Sequence, residues 1–145
     1  VITVPLVLAL PPVSIAGYSI PVAVLVGYGT VLGVAIDFDH FLIARLKTGT
    51  WDAVRFCLRN PTAAVAAQDR IFRPGDVGVL SRLLSHLLLA GLVVPLLAAV
   101  SVPLSILTGI VLYVHVVTDV VWDIHRLDHQ AETAANEAEL LRALR

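Results

Sequence analysis

Apolar runs broken by polar stretches organise this chain. Residues 18–36, YSIPVAVLVGYGTVLGVAI, are long enough to span roughly 30 Å of hydrocarbon at about 1.5 Å per residue. Residues 83–100 and 102–122 qualify as well; Pro95 predicts a kink in the former, and Pro103 suits the first turn of the latter. The N-terminal run, VITVPLVLALPPVSIAG, is shorter and carries Pro11-Pro12. It reads as a further span over about residues 1–16, with a re-entrant or non-spanning segment as the alternative. The expected fold is an all-α polytopic transmembrane helical bundle of about four spans, with three as the second choice.

Residues 37–82 separate the second and third runs and hold seven of the ten basic residues: Arg45, Lys47, Arg55, Arg59, Arg70, Arg73 and Arg82. The positive-inside rule places this loop in the cytoplasm. Trp51, Val54 and Leu58 recur at helical spacing beside Arg55 and Arg59, and Pro61 breaks the pattern. This predicts a loop helix, either amphipathic on an anionic leaflet or simply solvated. The sequence FRPGDVG at 72–78 reads as a turn. From Arg126 the chain is polar and helix-prone, giving a cytoplasmic tail helix over 126–145 behind a membrane domain of 1–125. Leu140, Leu141 and Leu144 on that tail offer an apolar stripe for a protein partner or for the loop.

Composition strengthens this picture. Hydrophobic residues make up 58% and charged residues 14% of the 145, and the mean hydropathy is +0.89, far from an ordinary soluble domain. The net charge of −1 hides segregated charges and gives no nucleic-acid footprint. One cysteine, Cys57, excludes an internal disulfide framework and reads as a structural thiol. There is no Met, even at position 1, so the chain reads as trimmed or alternatively started. A basic n-region is also lacking, which argues against an intact secretory signal.

The first 36 residues contain no Asp, Glu, Lys, Arg or His, so Asp37, Asp39 and His40 arrive as an abrupt cluster. His86 opens the third span one turn after Arg82; His115, Asp119 and Asp123 lie four apart near the end of the last. Helix alternation brings all three ends to one side of the membrane. Ionisable groups are expensive inside a bilayer and rare there unless they face protein or carry a function. Taken singly, each has a plain reading: an interfacial charge, a buried histidine bonded to a neighbouring helix, a helix-internal pair. Together, His and Asp at these spacings suit a divalent cation such as zinc or manganese. Arg82 suits an anionic substrate group or marks the membrane edge. His125, Asp128 and His129 read as solvated tail residues, His125 being near enough to serve as a spare ligand.

AIDFDH at 35–40, RLLSHLLL at 82–89 and HVVTD at 115–119 resemble, in order, the Asp-x-Asp-His, Arg-Gly-x-Thr-His-Ser and His-x-x-x-Asp signatures of the small integral-membrane metal-dependent hydrolases. Bacterial members of that family are described as inner-membrane hydrolases, one of them LexA-binding. The resemblance covers about 90 residues and implies that Asp39, His40, His86, His115 and Asp119 are metal ligands or their close neighbours. The chain departs from the pattern at Ile36 (usually Pro), Ser81 (often a further His), Leu83 (Gly) and Ser85 (Thr).

The functional expectation is a membrane-bound metal-dependent hydrolase with its site at the cytoplasmic helix ends. Asp37 or Asp123 would act as general base or orient a ligating histidine. Membrane lipid would be the surroundings, and an amphiphilic phosphoester or acyl ester, or a small soluble molecule, the substrate. The alternative is a non-enzymatic scaffold or partner-binding protein, or an ion- or proton-handling one, using the same cluster. A relay requires polar groups continuing to the far leaflet, and AGLVVPLLAAVSVPLSILTG is almost wholly apolar.

Overall fold

In the computed structural model, residues 2–62, 70–72, 76–133 and 141–142 are described, and the side chains of 128–133 are not. Arg73, Leu140 and Leu144, and the side chains of Asp128 and His129, therefore lie outside the described residues.

The elements in chain order are α1 (Thr3–Ala9), β1 (Ser14–Ile15), β2 (Tyr18–Ser19), α2 (Val22–Ala35), a 3-10 turn (Ile36–Phe38), α3 (Asp39–Thr48), α4 (Asp52–Arg59), α5 (Val79–Ala98) and α6 (Val102–Thr133). Three helical segments, Val22–Thr48, Val79–Ala98 and Val102–Leu127, are long and apolar enough to cross a membrane. The all-α class holds, and the number of such spans among the described residues is three.

The expected span over residues 1–16 is corrected. Helix α1 has only seven residues, about 10 Å at 1.5 Å per residue, far short of the hydrocarbon thickness. Leu10 turns extended, with ψ 153°, because the residue before a proline is disfavoured in the helical region. A two-residue hairpin follows, pairing Ser14 with Ser19 and Ile15 with Tyr18. Its turn places Ala16 at φ 51° and Gly17 at φ 85°; positive φ at both central positions matches strand twist in tight hairpins.

The helix of the second apolar run is longer than the run itself. The charged cluster at residues 37–40 does not stop the helix, which runs through the 3-10 turn to Thr48. The charges suit that continuation, with Asp39 in the first turn of α3 and Arg45 and Lys47 in the last, as the helix dipole favours. Gly49, at φ 74°, closes α3 by donating its N–H to the Arg45 carbonyl. The expected loop helix is α4, which stops at Asn60 because Pro61 follows.

The chain divides into two compact units, 1–37 with 86–120 and 38–85 with 121–145. In the first, Val7, Val13, Leu25, Leu104, Leu107 and Val111 form the buried core. Buried hydroxyls are interleaved with it, at Thr3, Ser101, Ser105 and Thr108. Ser105 Oγ donates to the Val94 carbonyl and Thr108 Oγ1 to the Leu104 carbonyl, each at 2.8 Å. Tyr28 Oη lies 2.8 Å from Thr108 Oγ1. The Ser105–Val94 and Tyr28–Thr108 bonds join different helices where water cannot serve as partner, while the Thr108–Leu104 bond lies within α6. Outward, α5 and α6 expose Leu88, Leu92, Leu96 and Tyr113, a surface suited to lipid.

In the second unit, Phe41 and His40 both pack on Phe72, with ring centroids 5.2 and 6.0 Å apart. Arg45 stacks over Trp51 at 5.6 Å.

Candidate metal centre

Three helical segments of the first unit supply the candidate site. Asp37 sits in the 3-10 turn after α2, His86 a third of the way along α5, and His115 and Asp119 one turn apart on α6. A 3-10 turn inside a longer helix rotates the side chain relative to regular α geometry, and such turns recur at functional positions. The four-residue spacing of His115 and Asp119 stacks them on one face.

The polar atoms alternate. His115 Nε2 lies 3.2 Å from Asp37 Oδ1 and 3.6 Å from Asp119 Oδ2. His86 Nε2 lies 3.5 Å from Asp37 Oδ1 and 3.6 Å from Asp119 Oδ2. The imidazole rings are 5.3 Å apart, and one ligand atom from each of the four residues falls within 4.8 Å of the others. His86 is 1% exposed, whereas Asp37 and Asp119 keep partial access to solvent.

The donor set passes a simple test for a cation. A tetrahedral ion with bonds of about 2.0–2.1 Å holds its ligand atoms about 3.3–3.4 Å apart, close to the four separations above. Two neutral imidazoles and two carboxylates carry charge −2, which a divalent ion balances. These residues could therefore hold a metal ion.

The remaining sequence-predicted residues belong to the second unit. Asp39 accepts a short hydrogen bond from Ser85 Oγ, and its Oδ1 lies 3.6 Å from His40 Nε2. Arg82 makes a close ion pair with Asp123, so the residue expected to meet substrate and a residue expected to act as base meet each other. His125 is exposed on α6. Asp37, read beforehand as a base or orienting carboxylate, stands among the candidate ligand atoms themselves.

Sequence reasoning did not single out the hydroxyl pairing of Tyr28 with Thr108, or Ser85 as the partner of Asp39. Tyr28 was hidden inside an apolar run; the signal available was its lone hydroxyl, which a buried tyrosine must satisfy. No family model, no curated protein and no solved structure matches this chain.

Proposed function

We propose that this protein is a membrane-bound metal-dependent hydrolase of the small integral-membrane type, in which Asp37, His86, His115 and Asp119 hold one divalent cation. The alternation of two imidazole nitrogens with two carboxylate oxygens at 3.2–3.6 Å carries this reading. The order of the three signatures along the chain supports it. Zinc is the first choice for an imidazole and carboxylate set and manganese the second. Ser81, where the family often has a further histidine, fits a single-ion site.

When bound, such an ion lowers the pKa of water to about 7 and polarises a phosphoryl or acyl group. The protein's own part is positional. Both histidines present Nε2 to the site, so their Nδ1 atoms carry the proton in the neutral ligating form. Asp37 and Asp119, being partly accessible, are the groups a substrate reaches first. Each can accept a proton from an incoming nucleophile on the carboxylate oxygen not engaged with the histidines. In the second unit, Asp123 and Arg82 pair with each other.

The basic segment 37–82 and the tail lie in the cytoplasm by the positive-inside rule, in a cell inner or plasma membrane. Partly accessible carboxylates set among apolar helices favour an amphiphilic phosphoester or acyl ester, and the tail offers a surface for a protein partner.

The deciding experiment is the metal content of detergent-purified protein, measured by elemental mass spectrometry beside a His86→Ala, His115→Ala double variant. About one equivalent of zinc or manganese that is lost in the variant is expected, followed by hydrolysis in a phosphoester and acyl-ester screen. Absence of metal in both proteins after attempted reconstitution would overturn the reading and leave a hydrogen-bonded polar cluster in a scaffold.

A further inference from the structure

The second unit contains a cavity of about 610 Å³ that the metal centre does not use. Ala44 and Thr48 of α3, Arg55 and Arg59 of α4, and Arg70 and Ile71 beyond it contribute to its walls. Ala44 and Ile71 in this lining are buried and apolar, while the three arginines are exposed.

The charges are unevenly satisfied. Arg55 Nη1 lies 3.7 Å from Asp52 Oδ1, within the same helix. Arg59 and Arg70 have no carboxylate within ion-pair distance among the described residues. Three arginines and two carboxylates, Asp52 and Asp76, line the cavity, which leaves its lining net positive; the guanidinium forks of Arg59 and Arg70, with buried apolar groups in the same lining, match a tetrahedral oxyanion carried on a less polar body. A lone carboxylate would satisfy one fork; a phosphate has oxygens for both.

Position adds a second argument. The apolar run ends at Ile36, and Ala44 to Thr48 follow within a dozen residues. Next to the cavity, Trp51 and Leu58 are exposed at 45% and 78%, an aromatic and an aliphatic anchor of the kind found at the headgroup layer. We infer that this cavity binds a phosphate group at the membrane surface through Arg59 and Arg70, the phosphate being that of an anionic phospholipid headgroup or a free phosphate. The inference does not depend on a metal at the other site.

The test uses the full chain in an uncharged detergent at low ionic strength. Calorimetric titrations are run separately with inorganic phosphate and with dihexanoyl phosphatidylglycerol below its micellar concentration. Saturable binding at one per chain is expected, weakened roughly tenfold or more in Arg59→Gln, Arg70→Gln, because the charge-assisted bonds to the anion are lost. The charge-matched pair Arg126→Gln, Arg142→Gln should leave it unchanged. Arg59→Lys, Arg70→Lys keeps the charge and loses the forks, and should fall between; it also serves if the Gln pair fails to fold. Binding of the lipid alone identifies a headgroup site, and binding of phosphate alone a soluble-anion site. No saturable binding of either probe, or equal weakening by both Gln pairs, would overturn the inference.

Discussion

His115 Nε2 and Asp37 Oδ1 lie 3.2 Å apart although 78 residues separate them in the chain. Asp37 is therefore held against a candidate ligand by the packing of the first unit, and its loss should be felt at the metal. Asp37→Asn keeps the shape and removes a charge. Zinc affinity should fall by about tenfold or more, read by competition with a chromophoric chelator. Unchanged affinity would remove Asp37 from the site.

Close packing of α1 on α2 depends on Gly29. A Cβ there would come 2.5 Å from Thr3 Cγ2, and Thr3, 3% exposed, has only χ1 with which to yield. Gly29→Ala should destabilise by about 1–2 kcal/mol, since overpacking outweighs the better helix propensity of alanine. Thr3→Ser in the same chain removes the clashing methyl and should restore most of the loss. Gly27→Ala, which meets nothing within 4 Å, should be neutral or stabilising by up to about 1 kcal/mol. Thermal unfolding in detergent separates the three.

The Tyr28–Thr108 hydroxyl pair should couple measurably. A double-mutant cycle with Tyr28→Phe and Thr108→Val is expected to give about 0.5–1.5 kcal/mol, with each single variant losing a similar amount. A coupling near zero would mean that the hydroxyls find other partners equally well.

Breaking the Arg82–Asp123 pair on one side should cost more than replacing both partners. Asp123→Ala leaves a half-buried guanidinium without that carboxylate, at about 2–4 kcal/mol; Arg82→Met, Asp123→Leu should lose less. Equal losses would show that the pair's charge is immaterial to stability.

Cys57 lies outside the apolar spans, and partial burial pushes its thiol above the ordinary range because the thiolate is the poorly solvated form. Alkylation by iodoacetamide near pH 7.5 should be slower than for a free thiol and should rise only at more alkaline pH. The folded state holds this proton more tightly than the unfolded chain. The contribution to stability is thus complete below the ordinary thiol pKa of about 8.5 and is lost as pH rises through the higher folded value. Alkylation as fast as that of a model thiol would contradict burial.

Run length and composition made α5 and α6 legible, because apolar stretches of 18 to 20 residues have few other uses. The same reasoning overcounted at the N-terminus, where Pro11-Pro12 and the Ala16-Gly17 turn outweigh hydrophobicity. The apolar run also does not show that the helix continues past Asp37 to Thr48; Asp39, Arg45 and Lys47 are placed where a helix tolerates them. At the candidate site, His115 and Asp119 follow from a spacing of four. The partner of Asp37 does not follow, since Asp37 and Asp39 are two residues apart and a 3-10 turn decides which way each points. Nor does spacing reveal that Asp123 meets Arg82, a pairing fixed by how two distant helices pack.

The candidate ligands are distributed one to Asp37, one to α5 and two to α6, so no single helix and no pair of helices carries a complete set. Membrane helices enter the bilayer in sequence order, and this set comes into being only when the last of the three has joined the others. A cation held there would lock an insertion history into place: a chain arrested after two of these helices has nothing to bind it, and a loaded chain is by construction one in which all three have come together.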